Sequence, residues 1–483
     1  MAIVPTDAPH VVFGAICVAA VMFMIWFLAA LLGEGRRIRR SQHFHSRKID
    51  RPERRLPSIS ISVLQFLGKK TDMGKTKIHW LLLLLFASVV LRASAQTGNS
   101  DSPQAPNSPP IARSNQQNAS RQSPASPAPL SSPSITGPLQ AAPPLVFDGG
   151  PLGKLDLNGI VSGIGLWQGN HTVGDDVGQV ALSNAQVFIQ KTAGWWQFYI
   201  QAGAYNILVL GTPFLPTDQA LTDLYGPVPV AFVKLVPSKN TTIEVGALPT
   251  LMGAEYTFDF ENMNIERGLL WNQENAVNRG IQLNETLGKF TASLSWNDGY
   301  YSNQYSWLSG SLTYTKGQHT LSFGGMGNLG QTVRRTLATP VQNNGTMYAL
   351  IYTYTKGNWI VEPYYQYGRV PTNPAVGVLN GASTNGGALL LSRTFKHGFA
   401  LAGRGEYIGS SGSPARNSVN LMYGPGSSAW SITLTPTFQQ GRFFTRGELS
   451  FVRANRITPG DAFGRAGTKQ NQPRGVIEIG FLF

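Results

Sequence analysis

The 483-residue chain holds one cysteine, Cys17, so no disulfide can form within it. Charge is scarce too. Asp, Glu, Lys and Arg make up 13% of residues, about half the usual share, whereas soluble enzymes are generally richer in charge. Histidine is sparse. Beyond residue 96 only His171, His319 and His397 occur, each isolated, with no H-E-x-x-H pair and no Cys/His cluster to hold a metal. Gly163, Gly165, Gly324 and Gly325 lie in strand-like sequence, outside the strand-then-helix setting of a phosphate or dinucleotide loop. No Ser–His–acid set can be assembled. Catalysis and cofactors therefore find no support, and a hydrolase on a barrel stays open only because triads are defined by geometry. What is present is 10% aromatics, 42% hydrophobic residues and 53 glycines, at a mean hydropathy of −0.08. That aromatic content excludes a disordered chain. Helical membrane proteins carry more long apolar runs, so the balance fits a membrane β-protein.

The net charge of +14 is uneven. Residues 1–95 hold 14 Lys+Arg against 5 Asp+Glu, and residues 96–483 hold 25 against 20. Arg36, Arg37, Arg39 and Arg40 follow an apolar run over 11–33, which reads as a cationic membrane flank and not as a nucleic-acid site. A second start lies at Met73. Lys75 and Lys77 form an n-region, Trp80 to Val90 an apolar core, and Ala93-Ser94-Ala95 a cleavage site before Gln96. The simplest account makes 1–72 a mis-called extension and 73–95 a cleaved signal peptide; a genuine anchor helix at 11–33 is the alternative. Residues 96–149 are rich in Pro and Ser and read as a disordered periplasmic linker.

From residue 150 apolar and polar residues alternate in sixteen short segments. Seven tight turns, at 192–194, 237–240, 287–288, 316–317, 356–357, 396–398 and 440–441, alternate with longer connections. That is the layout of an all-β, transmembrane, up-and-down antiparallel barrel of about sixteen strands over 150–483, with the termini on the short-turn side. The last segment, GVIEIGFLF, places Phe481 and Phe483 on an alternating apolar face. It resembles the strand read by the outer-membrane barrel assembly machinery.

Parity along each segment puts charge inside. Arg404 and Glu406, Arg446 and Glu448, and Glu362 face away from the apolar positions, as do Lys234, Glu244 and Glu478. Salt bridges filling a closed lumen are one reading. Sixteen strands favour the other, an aqueous channel. Trp195, Trp196, Tyr199, Tyr352, Tyr354, Trp430 and Phe451 read as an interfacial girdle. Tyr300, Tyr301, Tyr305 and Trp307 cluster at one loop, where girdle is again preferred to ligand stacking.

The connection 249–278 is long and acidic, with Glu255, Asp259, Glu261, Glu266 and Glu274 beside Arg267. Two placements stay open: folded inward as a constriction facing Arg404 and Arg446 across a pore, or lying over the mouth. The stretch carries Pro249, Thr250, Leu251, Gly253 and Glu255, then Asn262, Asn264, Arg267 and Gly268. With these residues, 150–483 resembles the OmpL-like β-barrel porins. The resemblance implies an outer-membrane channel for passive diffusion of ions or small hydrophilic solutes, embedded in outer-membrane lipid and compatible with a homotrimer. A non-conducting anchor or adhesin is the rival expectation.

Overall fold

The computed structural model describes residues 137–141, 143–333 and 335–483. The expected extension, the expected signal peptide with Ala93 and Ala95, and most of the expected linker lie outside the described residues. Strand pairing begins at β1 (Leu145–Asp148), inside the stretch expected to be linker. Sixteen longer strands follow. The first eight are β2 (Lys154–Gln168), β3 (Gly178–Lys191), β4 (Trp196–Tyr205), β5 (Val230–Leu235), β6 (Thr241–Pro249), β7 (Val277–Leu287), β8 (Phe290–Asn297) and β9 (Trp307–Lys316). The remainder are β10 (His319–Asn328), β11 (Thr346–Lys356), β12 (Trp359–Val370), β13 (Ala382–Thr394), β14 (Phe399–Ser410), β15 (Ser428–Gln440), β16 (Phe443–Asn455) and β17 (Asn471–Leu482).

Each of β2 to β17 pairs antiparallel with its sequence neighbours, and β17 pairs back to β2 from Arg474↔Gln168 to Leu482↔Ile160. The sheet is a closed sixteen-stranded barrel. Closure leaves no strand edge exposed to lipid, where an unpaired backbone group costs several kcal/mol. All seven expected tight turns are present. Gly317 and Gly357 supply the positive φ, 62° and 57°, that two-residue hairpins demand.

The period-2 pattern sorts the faces. Leu434, Leu449, Ile477 and Ile479 are exposed on the outside, a density of apolar surface that suits a lipid belt and not water. Arg404, Glu406, Arg446, Glu448 and Glu478 are buried on the inside, as parity requires. Some aromatic positions depart from the girdle. Tyr199 points inward and is 6% exposed, stacking on Phe188, while Trp195 is exposed. Tyr300 and Trp307 are buried and meet edge to face at 5.6 Å. They pack inside, because the lumen is not empty: residues 206–216 and 250–276 fold into it.

Candidate functional site

The inward course of the 250–276 loop follows from its local chemistry. The Thr250 hydroxyl donates to Asn275 at 2.6 Å and accepts from Met252 N–H, drawing the two ends of the loop together. Asn262 accepts from Tyr256 N–H at 2.7 Å and donates to the Tyr256 and Phe258 carbonyls, so one side chain fixes a turn. Gly253 sits at φ 88°, and a Cβ there would collide with the Glu274 carboxylate. Gly268 is equally constrained, since a Cβ would meet the carboxylates of Glu406 and Glu255. The motif glycines thus let carboxylates approach the backbone.

The loop lies chiefly against the wall made by β14 to β17, with further ties to β3 and β12. Arg404 Nη1 reaches Glu255 Oε1 at 2.5 Å and the Glu266 carbonyl at 2.8 Å. Glu406 accepts from Leu270 N–H at 3.3 Å and from Ser431 at 2.6 Å. Glu448 accepts from Ile265 N–H at 2.6 Å and Glu266 N–H at 3.1 Å. Arg446 donates to the Asp259 and Asn262 carbonyls at 3.0 and 3.1 Å and reaches Glu478 at 3.4 Å. Asp259 accepts from Asn184 at 2.7 Å and from the Ser183 hydroxyl. Glu266 accepts from Arg474 at 2.8 Å and Ser450 at 2.9 Å. Glu274 accepts from Tyr364 at 2.5 Å and Gln366 at 2.9 Å. Glu362, on the neighbouring wall, accepts from Thr353 at 2.7 Å.

This geometry revises one expectation. Arg404 does not face the loop carboxylates across an opening; it touches one of them. Two of the loop carboxylates, Glu255 and Glu266, are held in direct ion pairs with Arg404 and Arg474, which act at short range in a weakly screened interior, while Asp259, Glu261 and Glu274 accept hydrogen bonds from neutral donors. Glu255, Asp259, Glu261, Glu266 and Arg267 are all at most 8% exposed. Arg267 is bound differently from the carboxylates. Among the described residues its guanidinium makes no hydrogen bond, and it lies over the Trp271 ring at 5.6 Å. Its backbone joins the loop to the 206–216 segment, donating to the Leu208 carbonyl and accepting from Leu210 N–H.

Burial works against charge at three groups of the loop. It raises the Glu255 carboxyl above its usual range, opposed by Arg404, and lowers the Arg267 guanidinium, opposed by Asp259 and Glu255. It pushes Glu274 up to about 8. Sequence reasoning does not single out Arg474, although it shares parity with Glu478 on the same strand.

Beside the loop a cavity of about 260 Å³ remains. Glu255, Tyr256 and Glu261 border it on the loop side, and Gln201, Ser311, Thr313 and Ser322 on the wall of β4 and β9–β10. The arrangement gives a charged side, where the loop meets the wall, and a cavity side whose hydroxyl-lined wall also carries apolar side chains such as Val230, Phe232 and Phe323, with Glu255 and Glu261 at its loop border. Among the described residues no cluster of His, Cys, Asp or Glu could hold a metal ion.

No curated protein matches the chain. Its fold is similar to three solved outer-membrane structures. One is OmpT of Vibrio cholerae in trimer form, at 9% identity over 68% of this chain and 99% of that one, with a TM-score of 0.44. Another is the outer-membrane channel DcaP of Acinetobacter baumannii, at 8% identity over 68% and 97%, TM-score 0.47. The third is Salmonella typhi OmpF in complex with daunomycin, at 12% identity over 70% and 100%, TM-score 0.43. At the level of sequence, the model of the family described as "Putative beta-barrel porin-2, OmpL-like" matches residues 154–483, more than half of the chain, and the protein belongs to that family.

Proposed function

We propose that this porin-family barrel is a passive outer-membrane channel for small hydrophilic solutes, with its path along the cavity side of the lumen. The observation that carries the reading is the asymmetric seat of the 250–276 loop. It is bonded to the β14–β17 wall, and the remaining cavity lies against Ser311, Thr313 and Ser322. Hydroxyls and Gln201 can exchange hydrogen bonds with a solute as water does, without the trapping that a free fixed charge would impose. Since Glu255 and Glu266 are spent in ion pairs and Asp259, Glu261 and Glu274 are buried in hydrogen bonds, the channel favours neutral polar solutes and discriminates weakly between ions. The role is transport and not catalysis.

In this reading the chain is exported by the signal peptide that starts at Met73 and is cleaved after Ala95. The barrel assembly machinery then inserts it through its last strand, and it works in outer-membrane lipid as a homotrimer. Purified protein in planar bilayers tests the central statement. Stepwise conductance with weak ion selectivity, together with swelling of proteoliposomes in neutral sugars, is the expected result. A barrel that folds yet gives neither would instead be an anchor or adhesin.

A further inference from the structure

Below the loop, at the tight-turn end of the barrel, the lumen holds a piece of chain that belongs to no strand. Gln140 N–H donates to Gln439 Oε1 at 2.8 Å, and Gln439 Nε2 donates back to the Gln140 carbonyl at 2.9 Å. Gln439 is the penultimate residue of β15, next to the turn at Gly441, so this reciprocal clamp sits on the rim. One residue further in, Leu139 is 2% exposed. It belongs to the same packed cluster as Ile160, Phe444 and Leu482, which are inward-facing residues near the tight-turn ends of β2, β16 and β17, and as Phe260 of the loop. Gly137 lies deeper still. It is so close to the loop backbone that a Cβ there would collide with the Asn262 carbonyl. That carbonyl is the one Arg446 holds.

We propose that residues 137–140 form a built-in plug that enters the barrel from its tight-turn mouth and braces the loop from beneath. Three features argue for a specific seat. A leucine in an otherwise Pro- and Ser-rich stretch is placed where it is removed from solvent. A glycine stands where the backbone of the segment meets the backbone of the loop. A side-chain clamp pins the segment as it leaves the lumen. Further along, β1 is exposed and pairs with the first residues of β2. The anchor is therefore independent of the plug, and the plug can leave its seat without opening the barrel. The segment obstructs the periplasmic approach to the cavity and ties the loop to the chain that precedes the barrel. A pull or a binding event on that chain would then be felt at the narrowest part of the pore.

The proposal rests on the channel reading, and the test separates the two. The full chain is compared with Leu139→Glu, which sets a charge in an apolar cluster and drives the segment out, and with Gly137→Val, which collides with the loop. Heat-modifiable migration on gels confirms that each barrel is folded. Both variants are expected to raise mean single-channel conductance roughly twofold or more, because pore radius governs flux. In a Cys17→Ser background, Leu139→Cys is expected to react with a bulky maleimide more slowly than Val146→Cys by at least on the order of tenfold, as a buried site does when reaction waits on local opening. Equal labelling of the two cysteines would overturn the seat. Protected labelling with unchanged conductance in both variants would overturn the obstruction. Absence of conductance in every form would count against the channel itself and leave the labelling result to decide the seat.

Discussion

Gly159 and Phe483 close the barrel on each other. Gly159 N–H donates to the Phe483 carbonyl at 2.7 Å, Phe483 N–H returns to the Gly159 carbonyl at 2.9 Å, and the Phe483 ring occupies the place of a Gly159 side chain. The contact lies on the lipid side of the seam between β2 and β17, with Phe481 6.4 Å away. The seam therefore requires an aromatic on one strand and the absence of a side chain on the other.

Gly159→Val is expected to displace the ring and weaken the seam, at an overpacking cost of about 1–3 kcal/mol. The measurement is the temperature at which the heat-modifiable form is lost, together with its amount in outer membranes. Phe483→Ala alone should lower both as well. Combining the two should cost less than the sum, because the clash needs both partners. Strict additivity would show that the ring and the glycine do not meet.

The Arg404–Glu255 pair is the shortest ion pair between loop and wall. Arg404→Met leaves Glu255 and Glu406 without their cation in a dry setting, and breaking a buried pair costs about 3–5 kcal/mol. The double variant Arg404→Met with Glu255→Gln should recover part of that loss, since the orphaned charge is gone. Urea unfolding of the refolded barrel checks both. A double variant no better than the single would mean that Arg404 serves other partners, the Glu266 carbonyl first.

Much of this architecture was legible beforehand. Period-2 alternation placed Arg404, Glu406, Arg446 and Glu448 inside, because in a membrane barrel the misplaced alternative puts charge in lipid. The seven tight turns were readable from Gly and Asn at their tips. What alternation cannot supply is which acid meets which arginine. Glu255 and Arg404 are 149 residues apart, and their contact depends on the path of a loop with no period. The plug was hidden for a different reason. Leu139 sits in a composition that signals disorder, and one well-placed leucine does not change an average.

The route of permeation makes a directional prediction. Thr313 faces the cavity from β9 and is hydrogen-bonded to Ser322 at 2.7 Å. Thr313→Trp would fill the cavity side and is expected to reduce single-channel conductance several-fold, with swelling rates falling more steeply for larger sugars. Ser450→Trp is not an equivalent control, because Ser450 holds Glu266 on the charged side. Ile432→Trp is, since it faces lipid and should leave conductance unchanged. Equal conductance in Thr313→Trp and the parent would place the path elsewhere.

The last prediction concerns acidity. Glu274 is pushed from 4.5 up to about 8, chiefly by burial, with the Glu255 and Glu406 charges adding and the Tyr364 and Gln366 hydrogen bonds opposing. In the unfolded chain it ionises near 4.5; in the folded barrel it keeps its proton until about 8. Across that window the folded state binds more protons than the unfolded state, so stability falls as pH rises. The contribution is complete below pH 4.5 and is lost as pH passes 8. Its slope reaches at most about 1.4 kcal/mol per pH unit for one group. The midpoint temperature of the heat-modifiable form should therefore decline from pH 5 to pH 8. Glu274→Gln, which keeps the shape and removes the proton, should flatten that decline. The same loosening acts on the loop, because Glu274 ties its end to β12 through Tyr364 and Gln366. Conductance of the parent should become noisier above pH 8, and that of Glu274→Gln should not. Parallel pH profiles for the two proteins would mean that Glu274 is ionised in the folded barrel and that its seat carries no acid dependence.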